Sequence, residues 1–235
     1  MSEQQSTPDP ALTTLVGLAA YTELAAFGLL AARSVDAPDL VARQTLATAA
    51  GEALSRQERL LDLVDAPGPE GSGGAGAAAT MAPFDGALAD FDARTTPSGW
   101  AEGLLKSVVG LGVAQDLCRE LAAGLPGGAA GFVAAVGEPR PDDPATAVLA
   151  GAAAADGVLA SRLALWGRRV VGEALGLVPV LLAAHPPLAA VGAHSRGGRK
   201  KKRAAPPKGA LPPPPTQPPP PTEPPHPPPP PPTNP

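Results

Sequence analysis

Histidine is almost absent from this chain. The 235 residues contain three histidines, His185, His194 and His226, and all of them lie in the last quarter of the sequence. The first 184 residues therefore lack the imidazole that a Ser/His/Asp triad needs as its base. They also lack the Glu-x-x-His pairs with which a helical bundle holds two iron ions. No phosphate-binding Gly-x-x-x-x-Gly-Lys motif is present either.

Cysteine and aromatic residues are scarce as well. The single cysteine, Cys118, excludes an internal disulfide framework and fits a reducing compartment. Its apolar neighbours predict a small buried core residue. With four Phe, two Trp and one Tyr, the core must consist mainly of small aliphatic side chains. Each of these buries little area, so we expect modest stability.

Basic residues are few outside the C-terminal region. Residues 1–195 carry 11 Lys and Arg against 21 Asp and Glu, whereas residues 196–235 carry seven basic residues and one acidic residue. An acidic body is unlike a nucleic-acid-binding domain, so affinity for polyanions is expected only of a local patch or the tail.

The first apolar segment could be either a membrane-spanning helix or a buried helix of a bundle. No basic residue precedes it, which is unlike a secretory signal peptide. Residues 11–32 contain one charge, Glu23, and are apolar enough to suggest a membrane span. The absence of Lys or Arg at its start favours a buried bundle helix instead. We therefore predict a cytoplasmic protein without membrane insertion.

The periodicity of apolar residues predicts an all-α fold, a four-helix bundle with an added helix. Residues 1–9 are expected to be flexible, residues 10–192 to form the bundle, and residues 193–235 to form a basic, proline-rich, disordered tail. A mobile Gly/Ala-rich linker is predicted at residues 66–80, and the prolines forbid a continuous helix through residues 137–144. Helices are predicted at residues 10–33 (capped by Asp9), 38–64 (capped by Asp36), about 85–94, 100–121 (capped by Ser98), and from Ala145 or Asp156 to Leu177.

Acidic residues fall on the apolar faces of several predicted helices. Glu23 lies four residues after Ala19 and four before Phe27, on the inner stripe of the first helix. Asp116 and Glu173 take equivalent places on the third and last long helices, and Glu52 flanks the stripe of the second. A buried carboxylate needs a partner or a cation, so these four are candidate metal ligands.

Each acid also has a structural alternative. Glu173 follows Arg169 by four residues and could pair with it. Glu23 could be protonated or could bond a neighbouring hydroxyl. Glu120, the alternative third-helix ligand, could face solvent. A site made only of carboxylates would suit Mn²⁺ or Mg²⁺ better than Zn²⁺.

Four segments resemble an actinobacterial group of ferritin-like fold proteins: LAAYTELAAF (18–27), MAPF (81–84), TTPSGWAEGLLK (95–106) and RLALWGRRVVGEAL (162–175). The resemblance covers about residues 12–175. That group is similar to tRNA 2-methylthio-isopentenyladenosine hydroxylases, which use a di-iron site and O₂. The resemblance thus implies a ferritin-like bundle, iron as the cofactor and tRNA as the substrate.

Carried over by position, the resemblance makes Glu23 the first-helix ligand and Glu52 the glutamate of a Glu-x-x-His pair. Ser55 stands where that histidine would be, and the second acid-and-histidine segment falls on residues 138–141, which contain no histidine. Serine is a poor iron ligand. Two functions are therefore open: an O₂-dependent di-iron tRNA hydroxylase, or a non-catalytic bundle with a structural or partner-binding role.

The tail is unlike the rest of the chain. Residues 199–203 are a run of Arg and Lys, and residues 206–235 are mostly proline. The basic run could bind RNA or anionic lipid, and polyproline could dock on an aromatic groove. A tail without defined function, or one arising from a shifted reading frame, is the alternative.

Overall fold

The computed structural model describes residues 9–64, 73–125, 130–137 and 143–204, with side chains described for all of these except 73–75 and 196–204. Within these ranges the chain is helical and contains no strand. The predicted all-α class is confirmed. The helices are α1 Pro10–Val35, α2 Leu40–Leu61, α3 Gly73–Met81, α4 Ala89–Arg94, α5 Trp100–Leu105, α6 Leu111–Ala122, α7 Ala130–Val136, α8 Pro144–Ala155, α9 Gly157–Ala184 and α10 Pro186–Ala204.

Aspartates cap several of these helices. Asp9 accepts a hydrogen bond from the backbone N–H of Ala11, as predicted, and Pro10 occupies the first turn of α1. The cap of α2 is Asp39, which accepts from Ala42, and not the predicted Asp36. Asp156 caps α9, so the last predicted helix is divided there into α8 and α9.

Three helices lie where the sequence predicts none. Residues 73–80, assigned to the Gly/Ala-rich linker, lie in α3, while residues 65–72 lie outside the described ranges. The short helix α7 follows α6, and α10 extends through the basic run to Ala204, past the expected boundary at residue 192. Leu188 and Val191 of α10 are fully buried, which explains why this segment joins the bundle.

The bundle is built around α1. Over most of its length α1 packs against α2, and it also contacts α6, α3 and α10. Gly17 permits the closest of these approaches, because a Cβ at this position would lie 2.4 Å from the carbonyl oxygen of Thr80 in α3. The core is aliphatic, and the buried Cys118 belongs to it, as predicted. Burial raises the pKa of its thiol to about 12.

The two tryptophans tie α5 to its neighbours. The indole N–H of Trp100 donates to the carbonyl of Arg33 at the end of α1 (2.8 Å), and that of Trp166 in α9 donates to the carbonyl of Glu102 (3.1 Å). Glu102 also accepts from Arg162 of α9 (2.9 Å) and from Ser98. Ser98 thus fixes the start of α5 through Glu102, although the capping residue itself is Gly99.

One turn of π-helix, Lys106–Gly110, joins α5 to α6 within a continuous helix. Its first residue, Lys106, is buried and pairs with Asp92 (Nζ–Oδ1 2.7 Å) beside the ring of Phe91. A π turn adds a residue to the helix and rotates everything beyond it. The face that α6 presents to α1 therefore differs from the face that a regular helix would present.

Helix α1 is long and apolar enough to cross a membrane, and it shares this property with core helices of bundles. In the fold, 56% of its most apolar window is buried against neighbouring helices. Residues 205–235, which include the proline-rich segment, lie outside the described ranges.

Candidate functional site: a buried carboxylate bonded to an arginine

Glu23 lies at the centre of the bundle, with 1% of its surface exposed. The guanidinium of Arg56 in α2 donates Nε–H to its Oε2 (3.0 Å) and forms an ion pair with the same oxygen, with Nη2 at 2.9 Å. The amide of Gln115 in α6 donates to its Oε1 (2.8 Å). Both carboxylate oxygens are thus satisfied by side chains from two other helices. We call these three residues the Glu23 cluster.

Two opposing effects act on the pKa of Glu23. Burial raises this pKa above its ordinary value, because the ionised form loses its hydration. The Arg56 charge and the hydrogen bonds from Gln115 and Arg56 lower it, and burial is the larger effect. The Glu23 cluster therefore exists at some cost to the fold, and the cost is limited by the presence of Arg56.

Sequence reasoning missed Arg56 and Gln115. Arg56 lies three residues after Ala53 and four before Leu60, both of which are fully buried. A basic residue on this buried face of the helix was the available signal of a partner for an inward acid, and it was overlooked. Gln115 gave no such signal, because the apolar stripe of the third predicted helix placed its neighbour Asp116 on the inner face.

Asp116, predicted as the third-helix ligand, does not reach Glu23. Its side chain is 76% exposed and bonds Arg119 one turn further along α6 (2.9 Å). Glu120, the alternative ligand, accepts a hydrogen bond from Ser195 of α10 (2.6 Å). It therefore fastens α10 to α6 and does not take part in the Glu23 cluster.

Glu173 is separate from the other predicted ligands. It lies on α9, is 30% exposed and pairs with Arg94 of α4 (Nη1–Oε2 3.5 Å). Arg169, its expected partner, lies instead over the ring of Trp166, 5.7 Å from the ring centre. The structure thus assigns Glu173 to an ion pair between α9 and α4.

An open cavity of about 880 Å³ lies beside the Glu23 cluster, between α2, α6 and the start of α8. Glu52, Ser55 and Asp116 line it, so two of the predicted ligands and the serine at the missing-histidine position share this space. Glu52 has an interaction partner of its own. We call this space the polar cavity. Its charged and amide-bearing lining residues are Glu52, Arg56, Arg59, Gln115, Asp116, Arg119 and Asp143.

A second, smaller cavity of about 290 Å³ lies between α1, α6 and α9. Its walls are mainly apolar, and leucine is the commonest lining residue, as at Leu18, Leu111 and Leu177. Leu111 lines both cavities. We call this one the apolar cavity.

In the described part of the chain, no three His, Cys, Asp or Glu side chains come together in a group that could hold a metal ion. Of the four predicted ligands, Glu23 is bonded to Arg56 and Gln115, Glu52 and Asp116 line the polar cavity, and Glu173 is bonded to Arg94. This donor set does not fit a di-iron centre, which needs four carboxylates and two histidines converging in the core.

The described helices and the absence of strands among them define an all-α helical bundle. The family described as "Ferritin-like domain, actinomycetes" matches residues 8–191, and the chain belongs to this family. The match extends beyond Leu175, where the resemblance in the sequence ends, and it includes the first six residues of α10, among them the buried Leu188 and Val191. No curated protein matches the chain.

Proposed function

We propose that this chain is a non-catalytic ferritin-like bundle that binds a small ligand in the polar cavity. The observation that carries the proposal is the Glu23 cluster. The carboxylate that the resemblance makes a metal ligand is bonded through both oxygens to side chains of the chain itself. One of these, Arg56, is a cation in direct contact with Oε2.

A metal ion at Glu23 would have to displace Arg56. A guanidinium keeps its charge at any pH that the fold withstands, so it cannot yield by losing a proton. Its repulsion of Fe²⁺ adds to the loss of the ion pair and hydrogen bond between Arg56 and Glu23. Together with the serine at position 55, this argues against the di-iron chemistry that the resemblance implies, and we derive no reaction step through iron.

A binding role is supported by the size and lining of the polar cavity. Its volume of about 880 Å³ lies within the range of small-molecule sites. Apolar residues such as Ala26, Leu30 and Leu111 line the cavity together with charged groups. This mixture is typical of pockets that hold an organic ligand in one orientation.

Iron loading tests the proposal. The full-length protein is incubated with Fe²⁺ without oxygen, desalted and analysed for metal. We expect the wild type to retain no stoichiometric iron and to give no oxo-bridge absorbance in air. The double variant Ser55→His with Arg56→Met supplies the imidazole and removes the guanidinium. Iron in this variant alone would mean that the scaffold is intact and that these two positions bar the metal.

Stoichiometric iron in the wild type, with oxo-bridge absorbance, would contradict the proposal. The tRNA hydroxylase activity implied by the resemblance would then be the next function to assay, with tRNA carrying the modified base as substrate. Binding of tRNA, of other polyanions or of a proline-recognising partner by the tail stays a prediction.

A further inference from the structure

The outer face of α9 carries large aliphatic side chains along most of its length. Of the eight large apolar side chains exposed in the described part of the chain, four lie here: Val158 (73%), Leu165 (66%), Leu175 (55%) and Val180 (66%). Helix α10 leaves α9 at a bend of 114° and packs against α6 and α1, so it does not cover this face. Contiguous exposed apolar surface of this kind is typical of interaction sites.

The charges of this face are all arginines, and they lie in its first half. Arg162, Arg168 and Arg169 are exposed, and among the residues of α9, all of which are described, none that is exposed is acidic. Arg162 and Arg169 already contact side chains of the same copy. Arg168 pairs with no acid in the described ranges, so its guanidinium keeps its donors. Exposed positions in residues 172–184 carry no charge.

The second half of the face offers hydrogen-bond acceptors. Pro179 has no N–H, so the carbonyl of Leu175, four residues earlier, lacks its usual helical donor. The last carbonyls of a helix also lack helical donors and carry partial negative charge. One face of α9 thus has donors near its start, acceptors near its end and exposed aliphatic side chains in both halves.

We propose that the outer face of α9 packs antiparallel against the same face of a second copy of this chain. A two-fold axis near Gly172 places Arg168 of one copy opposite residue 176 of the other, beside the free carbonyl of Leu175, and this contact occurs twice. Leu165 of one copy then lies against Pro179 of the other.

The distribution of charge favours this direction of packing. In the antiparallel pair the two Arg168 residues are separated by about 12 Å along the helix axis, which exceeds the screening length of about 8 Å at physiological ionic strength. Parallel packing would instead place like charges side by side. A Cβ at Gly172 would meet nothing within 4 Å, so the middle of the face is open to the second copy.

The size of the face sets the expected affinity. Helix α9 has 28 residues, so its face is about 42 Å long and about 10 Å wide, roughly 400 Å² in projection. A contact of this size lies near the lower limit of specific interfaces, about 1,000 Å² in total. We therefore expect a reversible dimer with a Kd of about 10–100 µM. Unfolding measured well below this Kd concerns the monomer.

Sedimentation equilibrium of full-length protein between about 1 and 300 µM tests the proposal. The wild type should show a monomer–dimer equilibrium. Leu165→Glu should raise the Kd at least about tenfold, because it buries a carboxylate in an apolar contact. Arg168→Gln should raise it about tenfold, since each dimer loses two charged hydrogen bonds. Val41→Glu is the matched control, because Val41 is 77% exposed on α2 and should dimerise like the wild type.

Spin labels report the direction of packing. They are attached to Val158→Cys and, separately, Val180→Cys, and the buried Cys118 stays unlabelled. In dimers that sedimentation confirms, antiparallel packing about Gly172 predicts label separations of about 45 Å at position 158 and about 25 Å at position 180. Equally short separations at both positions would overturn the antiparallel arrangement.

A wild type that stays monomeric at about 300 µM would overturn the inference, as would a Leu165→Glu variant that dimerises normally. Phosphatidylglycerol vesicles test the other occupant, an anionic membrane surface. Flotation of monomeric wild type but not of Leu165→Glu with these vesicles would assign the face to lipid and overturn the dimer. No residue of α9 lines the polar cavity, so these outcomes leave the proposed function unaffected.

Discussion

Replacing Arg56 by methionine removes the cation from the Glu23 cluster and leaves the carboxylate buried with Gln115 as its remaining partner. Removing one member of a buried ion pair costs about 3–5 kcal/mol. Because 17% of the Arg56 side chain is exposed, we expect the lower end, about 3 kcal/mol at pH of about 8. For a domain of this size, that corresponds to a fall in Tm of roughly 6–12 °C.

The loss should depend on pH in a defined direction. Burial already raises the folded-state pKa of Glu23 above 4.5, and removing Arg56 raises it further. In the window between the unfolded pKa and this raised pKa, the folded state binds more protons, so stability falls as pH rises. Near pH of about 4.5 the protonated acid needs no cation, and the cost of Arg56→Met should shrink to about 1 kcal/mol for the lost hydrogen bonds.

Urea unfolding of wild type, Arg56→Met, Glu23→Gln and the double variant at both pH values measures this. The double variant should recover part of the loss, since a neutral amide no longer needs the guanidinium. Arg168→Met, at an exposed position, is the control for the substitution itself. A variant at position 56 that is as stable as the wild type at about pH 8, or a loss independent of pH, would refute this account of the cluster.

Three further predictions concern packing and burial. Gly17→Ala should destabilise the fold by about 1–3 kcal/mol, because its Cβ would lie 2.4 Å from a carbonyl oxygen of α3. Gly51→Ala, whose Cβ would have nothing within 4 Å, should stabilise the fold by about 0.5–1 kcal/mol. Equal urea midpoints for the two variants would contradict both expectations. Asp92→Asn should destabilise the fold more than Lys106→Met, because it leaves the buried ammonium of Lys106 without a carboxylate, whereas methionine at position 106 can pack beside Phe91. The reverse order of urea midpoints would contradict this expectation. Cys118, whose pKa is raised to about 12 by burial, should resist iodoacetamide until the protein is unfolded; complete alkylation in native buffer, measured by mass spectrometry, would mean that the core opens.

The fold class and the inward direction of Glu23 were predictable because both follow from apolar periodicity in long helices. The partner of Glu23 on α6 was not. The stripe Leu105, Val109 and Gly112 predicted Asp116 on the inner face, whereas Asp116 is exposed at the rim of the polar cavity and Gln115 bonds Glu23. Adjacent residues of a helix differ in direction by about 100°, so an error of one position in the inward face exchanged Gln115 for Asp116.

Helices α3 and α10 were not predicted, for a different reason. Both segments contain several glycines, and α10 begins with two prolines, which lowers their local preference for helix. They are held by contacts from distant parts of the chain, such as the bond of Ser195 to Glu120, 75 residues apart. Contacts of this kind have no local signature in the sequence.

The cation at the centre of this bundle is covalently part of the chain. A dissociable ion would make the stability of the fold depend on its concentration, and a chelator would weaken it. Arg56 is present at a fixed, very high effective concentration as soon as α1 and α2 come together. The extent to which Arg56 offsets the burial of Glu23 should therefore be insensitive to chelators and to the iron supply of the cell.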